Sequence, residues 1–298
     1  MRKSLIAALL LTPVAAPALA ENPKPAAAAP APTPGYDMAA QRAKIARIEM
    51  KPELAFLSAE ERKVVNLLIR ASDLMSEIYL RQSYAANPEV RAKIAALPAG
   101  ARRTALLDMF DLHFGPWDTL DEDHPFFGEQ ARPAGAGFYP PDLTRESFDA
   151  YLAAHPDQKA ALTDPYTVVK REGDRLVAIP YSVEYRRWLE PAARLLDEAA
   201  ATTTNASLRK FLTLRAKAFA TNDYYESELA WMDLTGTPIE IAIGPYEVYT
   251  DRLYGAKTAF ESFLTLKDPK ESAALDKYKR YLRDMEANLP VEDRFKNF

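Results

Sequence analysis

The spacing of hydrophobic residues predicts a long helix over residues 58–86. Leucine, valine, isoleucine and methionine recur there with a roughly helical period. Ser58 and Glu61 form the Ser-x-x-Glu pattern of a capping box, in which each side chain accepts a hydrogen bond from a free backbone N–H at the helix start. Asn87 and Pro88 follow the last apolar positions, so we expect the helix to end before them.

The same patterns divide the rest of the chain into shorter elements. Helices are expected at 88–97, 101–110, 182–201, 205–220, 222–231 and 269–288, with two short ones within 144–163. The expected N-caps of three of these are Ser182, then Asn205 or Ser207, then Asn222 or Asp223. A β-hairpin with a Gly turn is expected at 167–171 and 175–179, and further strands at 239–243 and 257–266. The fold class is therefore α+β, predominantly α-helical, with a small antiparallel β portion.

Residues 113–143 interrupt this helical pattern. Repeated Gly and Pro break any helix there, while Trp, Phe and Tyr side chains favour an ordered loop over a disordered one. A loop of this length in a compact domain is usually either functional or disordered.

The first 20 residues have the pattern of a cleavable signal peptide. A positive start precedes a short apolar run, and a small-x-small pattern ends at Ala20, where we expect cleavage. The apolar run is too short to span a bilayer, which needs about 20 apolar residues. We therefore expect a periplasmic or secreted protein without a membrane anchor. Residues 21–36 then predict an extended Pro/Ala-rich linker, and residues 37–298 the folded part.

Charge and cysteine content exclude several classes of partner and cross-link. Without Arg2 and Lys3 of the signal peptide, the 38 basic residues become 36 against 42 acidic ones, a net charge of −6. A nucleic-acid partner favours a basic surface, so none is expected. The chain has no Cys, so its stability must come from an apolar core rather than disulfides.

Common catalytic and metal-binding motifs are missing from the sequence. The three histidines, His113, His124 and His155, show no spacing that suits a zinc site, and no HExxH motif occurs. Four acidic residues cluster in the long loop: Asp118, Asp121, Glu122 and Asp123. They could bind a cation or supply a carboxylate pair, but a solvated acidic turn is the favoured interpretation. The glycosylation sequon at Asn205 is interpreted as a helix cap.

Glu247 and Tyr249 are the candidate functional residues. We expect Gly244 and Pro245 to form a turn that ends a strand. In an extended segment, residues two apart lie on the same face, so the carboxylate and the phenol would lie side by side. Such a pair can bind an amine and polarise a carbonyl. Spacing alone favours the simpler alternative of a packed Tyr and a solvated Glu.

Residues 222–266, with the Ile-Gly-x-x-Glu-x-Tyr segment at 243–249, resemble the dipeptidyl peptidase III family of zinc metallopeptidases, in its shorter bacterial branch. The resemblance extends over most of the mature chain. Further matching stretches, in the same order, are 57–63, 114–118, 137–142, 165–171, 179–182, 212–219 and 289–291.

This resemblance implies a fold and site roles. The chain would be the N-terminal lobe of a two-lobed metallopeptidase, with the segment at 243–249 lining the cleft between the lobes. Glu247 would bind the free N-terminus of a peptide, and Tyr249 would stabilise the oxyanion of the tetrahedral intermediate. The family's zinc ligands come from an HExxGH or HExxxH motif and a later Glu-rich helix, beyond the equivalent of Pro290. The expectation is therefore no zinc site within this chain.

Three functions are compatible with these features. The first is an exported, dipeptidyl-peptidase-like lobe, truncated before the zinc-binding domain and inactive alone unless a separate zinc lobe completes it. The second is a non-catalytic periplasmic peptide-binding or scaffolding protein, with short peptides as its ligands. The third, a purely structural helical domain, explains none of the ordered motif matches.

Overall fold

The computed structural model describes residues 36–297, and helices form most of this part of the chain. In chain order they are α1 Met38–Ala43, α2 Ala59–Ser83, α3 Asn87–Ala95, α4 Ala101–His113, α5 Arg145–Ala154, α6 Lys159–Leu162, α7 Tyr181–Glu184, α8 Arg186–Thr202, α9 Ala206–Thr221, α10 Tyr225–Met232, α11 Pro269–Lys279 and α12 Leu282–Ala287. The predicted signal peptide and residues 21–35 of the linker lie outside the described residues, so both stay predictions.

The strands form three antiparallel pairs. They are β1 Trp117–Asp118 with β2 His124–Pro125, β3 Thr167–Glu172 with β4 Arg175–Pro180, and β5 Ile239–Glu247 with β6 Ala259–Leu266. The pair β3–β4 is the predicted hairpin, with Gly173 at a positive φ of 60° in its turn. The predicted α+β class, mostly helical with small antiparallel sheets, is confirmed.

Helix α2 begins at the predicted capping box. The Ser58 hydroxyl oxygen accepts a hydrogen bond from the Glu61 N–H at 3.1 Å, and the Glu61 carboxylate accepts one from the Ser58 N–H at 2.7 Å. One face of α2 is buried at helical spacing and packs on α8 and β6. The buried residues of this face include Val64, Leu68, Ala71, Met75 and Ile78.

Two of the predicted N-caps, Ser182 and Asn222, bind each other instead of capping helices. The Asn222 side chain accepts a hydrogen bond from the Ser182 N–H at 3.0 Å and donates one to the Ser182 hydroxyl at 2.9 Å. Asn222 has a left-handed backbone and ends α9. The predicted start at Ser182 is wrong, because α7 begins one residue earlier and the long helix α8 begins only at Arg186. This pairing over 40 residues joins α7 to the end of α9.

Asn205 is the N-cap of α9. Its side-chain oxygen accepts a hydrogen bond from the Leu208 N–H at 2.9 Å. Its amide group donates to the Thr235 and Gly236 carbonyls at 3.0 and 2.9 Å. The interpretation of the sequon as a helix cap is confirmed, and the same side chain fixes the loop before β5.

The main core lies between α2, α8, α9 and the β5–β6 pair. Aromatic rings fill its centre, and each of these large side chains buries more area than an aliphatic one. These rings are Phe138, Phe148, Tyr181, Tyr185, Phe211, Phe219 and Phe260. A smaller apolar cluster of Ile94, Leu106 and Phe110 joins α3 to α4. No helix within residues 36–297 has the length and apolar character needed to cross a membrane.

Residues 269–297 form a C-terminal arm with no buried side chain in either of its helices. The predicted single helix over 269–288 is interrupted between α11 and α12. The arm nevertheless carries many exposed apolar side chains: Leu275, Tyr278, Tyr281, Leu282, Met285, Leu289, Val291 and Phe295. Contiguous exposed apolar surface is typical of an interaction site.

We expect the purified 37–298 chain to self-associate through this arm. Exposed apolar area favours association because burying it releases about 25 cal/mol per Å². Sedimentation velocity should show dimers or larger species, and the triple variant Leu275→Asp, Leu282→Asp, Met285→Lys should sediment as a monomer. Leu120→Asp, at an exposed leucine of the long loop, is the matched control and should leave association unchanged. A wild-type chain that stays monomeric across concentrations would contradict this expectation.

Candidate functional site

Strand β5 carries the candidate segment and is longer than predicted. It pairs with β6 from Ile239, opposite Leu266, to Glu247, opposite Ala259. The predicted end at Ile243 is therefore wrong. Pairing continues beyond it, since Pro245 lies opposite Phe260, and a β-bulge between Pro245 and Glu247 leaves Tyr246 as the extra residue of the strand.

The side chain of Arg215 hydrogen-bonds the backbone of β5. This α9 side chain is fully buried, and its guanidinium donates to the Ile243 carbonyl at 2.8 Å and to the Glu228 carboxylate at 2.7 Å. It also hydrogen-bonds the Tyr246 hydroxyl, which donates to the same Glu228 carboxylate at 2.7 Å. A Cβ at Gly244 would lie 2.6 Å from the guanidinium, so only glycine leaves room for Arg215.

Arg215 is not among the candidate residues that the motifs indicate, although the sequence carries a signal for it. Leu208, Phe211, Leu212 and Phe219 define the buried face of α9, and Arg215 falls on that face at helical spacing. A buried cation requires a partner, so an Arg on an apolar stripe predicts a buried carboxylate or carbonyl opposite it.

Glu247 ends β5 with its carboxylate turned back onto the following turn. One oxygen accepts a hydrogen bond from the Tyr249 N–H, and the other accepts one from the Thr250 N–H at 3.2 Å. Two backbone donors therefore fix the direction of this carboxylate, which is half-exposed.

Glu247 lines a pocket of 290 Å³ between α2 and β6. Two more carboxylates, Asp73 and Glu261, line the same pocket, and no basic residue is among its lining residues in the described chain. The remaining walls are Ser72, Met75, Ser76, Tyr79, Phe114, Phe260 and Ser262. Burial, and secondly repulsion from Glu247, raises the pKa of the Glu261 carboxyl above its usual value. An uncompensated acidic pocket of this kind favours a cationic ligand.

Tyr249 does not line this pocket. It lies in a bend beyond the end of β5, and 83% of its surface is exposed. Because the strand ends at Glu247, the argument that both side chains lie on one face of a strand does not hold. The alternative of a packed Tyr is wrong, because the side chain is exposed. Within residues 36–297, no hydrogen bond engages the Tyr249 hydroxyl, so it is accessible to a ligand.

The acidic residues of the long loop are not one solvated turn. Asp118 is 1% exposed and accepts hydrogen bonds from the Tyr36 hydroxyl at 2.8 Å and the Leu120 N–H at 2.9 Å. Asp123 pairs with Arg132 and Arg252. Burial raises the pKa of the Asp123 carboxyl, but the two guanidinium groups lower it by more. The pKa therefore lies below its usual range. The solvated interpretation is therefore wrong for Asp118 and Asp123, whose partners are structural.

The three histidines do not form a zinc site. His113 is buried and accepts a hydrogen bond from the Thr119 N–H at 3.2 Å, and burial lowers its pKa. His124 stacks on Tyr36, and His155 on Tyr151. Among the described residues no group of three or more His, Cys, Asp or Glu is placed to hold a metal ion. The donors present in this part of the chain thus do not fit zinc.

Comparison with known proteins places the chain in a family. The sequence model of "Peptidase family M49" matches residues 143–297, which contain β5, β6 and the acidic pocket's Glu247 and Glu261. The chain belongs to peptidase family M49. This is the dipeptidyl peptidase III family, so the resemblance inferred from the motifs is confirmed. M49 peptidases are in general zinc-dependent.

Two solved structures agree with the M49 assignment, and one curated protein is also similar to the chain. The chain is similar to dipeptidyl peptidase III from Caldithrix abyssi, with 48% identity and a TM-score of 0.81, over 87% of this chain and 49% of that one. It is also similar to dipeptidyl-peptidase III from Corallococcus sp. strain EGB, with 36% identity and a TM-score of 0.78 over the same shares. "Nudix hydrolase 3" from Arabidopsis thaliana is 30% identical over 84% of this chain and 39% of its own length. The chain thus spans half or less of the length of each of these three proteins.

Proposed function

We propose that this chain is the peptide-binding part of an exported dipeptidyl peptidase of family M49. In this proposal Glu247 binds the free amino terminus of a peptide. Zinc, which residues other than those described would have to hold, would supply the activation of the attacking water. Family membership and the likeness to two dipeptidyl peptidases III support the reaction class. Export rests on the pattern of residues 1–20, which stays a prediction.

The observation that carries the proposal is the charge of the pocket beside Glu247. Three carboxylates meet there, and none of them has a basic neighbour among the described lining residues. An α-ammonium group is compact, cationic and rich in donors, so it matches this environment. Glu247 is best placed to bind it because the Tyr249 and Thr250 amides fix the carboxylate direction.

Tyr249 is the proposed oxyanion donor. A phenol directed at developing negative charge lowers the barrier to acyl transfer when the donor is already in place. The exposure and free hydroxyl of Tyr249 are consistent with this role, since the group it serves belongs to a bound peptide. The phenol donates a hydrogen bond and supplies no nucleophile, so it does not by itself complete hydrolysis.

Substitution of Glu247 tests the binding role. Glu247→Gln keeps the size of the side chain and removes its charge, so a peptide with a free amino terminus should bind about 10- to 100-fold more weakly, given the 1.5–3 kcal/mol of a charged hydrogen bond. Isothermal titration calorimetry with a tetrapeptide measures this. Glu240→Gln is the matched control, because Glu240 lies on the same strand but pairs with Lys267 and does not line the pocket.

Two results would count against the assignment. Unchanged affinity in Glu247→Gln would remove Glu247 from the site, and an equal loss in Glu240→Gln would indicate a general effect of charge on β5. If no peptide binds even the wild-type chain, the peptide-binding function itself fails.

The second candidate is a peptide-binding or scaffolding protein without catalysis. It rests on the acidic pocket beside Glu247, which can bind an ammonium group whether or not a reaction follows. The two candidates differ when a zinc-binding partner of the same family is added. Release of dipeptides, followed by mass spectrometry, supports the peptidase, and binding without release supports the scaffold.

A further inference from the structure

The Asp251 carboxylate organises the loop that follows the candidate site. Asp251 is only 4% exposed, and its carboxylate accepts five hydrogen bonds. The donors are the N–H groups of Leu253 at 3.1 Å, Tyr254 at 3.0 Å, Ala256 at 2.9 Å and Lys257 at 3.0 Å, and the Tyr139 hydroxyl at 2.9 Å. The loop 251–257 therefore wraps around its own first side chain.

Lys257 closes the far end of this loop. Its ammonium group is buried and donates to the Leu162 and Asp164 carbonyls at 2.8 and 2.7 Å and to the Thr167 hydroxyl at 2.7 Å. These acceptors lie at the end of α6 and the start of β3. Burial lowers the pKa of Lys257 to about 8. Both ends of the loop are thus attached to the main body.

A third attachment lies between these ends, at Arg252. Its N–H donates to the Ala134 carbonyl at 3.0 Å, and its side chain pairs with Asp123. The segment 248–258 has no regular secondary structure, so these contacts replace a strand or helix in holding it.

Burying a carboxylate without a salt-bridge partner is costly unless every lone pair is satisfied. The loop 251–257 also carries Leu253, a buried residue of the main core, so apolar packing and these hydrogen bonds fix the loop together. Fixing the loop has a further local consequence, because the Tyr249 and Thr250 amides, which directly precede it, are the donors that orient the Glu247 carboxylate.

We propose that Asp251 is a positioning residue, which holds the Tyr249–Thr250 amides and the Tyr249 phenol in the geometry that a bound peptide requires. This inference rests on the proposed function for its link to peptides, whereas the rigidity of the loop stands independently. Asp251 itself touches no ligand in this account. Its effect on binding passes through Glu247.

The first test measures the loop without any ligand. In Asp251→Asn an amide group replaces one acceptor oxygen and faces N–H donors, so the loop should open more often. Trypsin should then cleave after Arg252 at least about tenfold faster, since cleavage tracks the open population. Tyr139→Phe removes one of the five bonds and should give a smaller increase. Cleavage products are assigned by mass spectrometry.

Leu196→Ala is the matched control for general destabilisation. Leu196 is fully buried on α8, away from the loop, so this variant should melt at a lower temperature without faster cleavage after Arg252. Equal cleavage rates in Asp251→Asn and the wild type, or an equal increase in Leu196→Ala, would overturn the role of Asp251 in holding the loop.

The second test is a double-mutant cycle on peptide affinity. Asp251→Asn should weaken tetrapeptide binding about five- to tenfold in the wild-type background and less than about twofold in Glu247→Gln, because the effect acts through Glu247. Equal losses in both backgrounds would overturn the positioning role. If the wild-type chain binds no peptide, the proposed function fails, while the cleavage test still decides whether Asp251 holds the loop.

Discussion

Replacing Gly137 by alanine should lower the free energy of unfolding by about 3 kcal/mol or more. This loss exceeds the usual cost of overpacking, because backbone atoms must move to make room for the methyl group. A Cβ there would lie 1.9 Å from the Arg81 carbonyl oxygen and 3.1 Å from the Ala85 nitrogen. Neither atom belongs to a flexible side chain. The Gly137 N–H also donates to the Gln82 carbonyl at 2.8 Å, so the loop and the end of α2 are in direct contact.

The effect of Gly137→Ala should extend to the candidate site. The Gln82 side chain accepts a hydrogen bond from the Phe260 N–H at 2.7 Å and donates to the Thr258 carbonyl at 3.4 Å. These contacts join α2 to the start of β6, opposite Glu247. A shift of the end of α2 therefore disturbs the pocket as well as the core.

Urea unfolding measures the change, with Gly100→Ala as the matched control. No atom lies within 4 Å of a Cβ at Gly100, so that variant should cost less than about 1 kcal/mol, the scale of an N-cap change. If both variants unfold at the same urea concentration, the close packing of Gly137 on α2 is not a determinant of stability.

Arg215→Met should cost about 3 kcal/mol, the lower end of the range for breaking a buried ion pair. Methionine fills part of the space but leaves the Ile243 carbonyl and the Tyr246 hydroxyl without their donor. We expect the lower end of this range because the Glu228 side chain is 36% exposed, so water can solvate its carboxylate once Arg215 is removed. Denaturant unfolding followed by fluorescence measures the loss.

Lys210→Met is the control for Arg215→Met. Lys210 lies on the same helix and faces Asp233 across 3.7 Å, with both side chains well exposed. A surface pair contributes about 0–1 kcal/mol, so this variant should be near wild type. A loss in Arg215→Met no larger than in the control would mean that the buried network contributes nothing net to stability.

Local signals allowed part of the fold to be predicted. The start of α2 at Ser58 follows from a capping box whose two hydrogen bonds lie within four residues. The hairpin around Gly173 follows from alternation and a turn. Asn205 caps α9 for the same local reason, so the residues that determine each of these elements lie within or next to it in the sequence.

Predictions failed where a distant partner decides the structure. Ser182 and Asn222 are good capping residues, but each satisfies the other over 40 residues instead. Asp118 belongs to an acidic run, but its lone pairs are satisfied by Tyr36, 82 residues away. Pro245 reads as the end of a strand, yet a bulge lets β5 continue to Glu247. None of these pairings leaves a periodic trace in the sequence.

The candidate site likewise combines residues that the sequence indicates with residues that only the folded chain brings together. The motif resemblance placed Glu247 and Tyr249 in it, and local hydrogen bonds now explain how Glu247 is held. The pocket needs Asp73 of α2 and Glu261 of β6, which lie 188 residues apart in the numbering and meet only in the folded chain. Arg215 contacts the segment only because α9 packs on β5, whereas Asp251 is held mainly by neighbouring N–H groups and by the distant Tyr139 hydroxyl.

The most direct test of a peptide-binding site compares one tetrapeptide in two forms. The form with a free amino terminus should bind the wild-type chain at least about tenfold more tightly than the N-acetylated form. Acetylation removes the charge that Glu247 and its neighbours are proposed to bind. Isothermal titration calorimetry of both peptides gives this ratio. Equal affinity for the two forms, or no binding by either, would contradict the account.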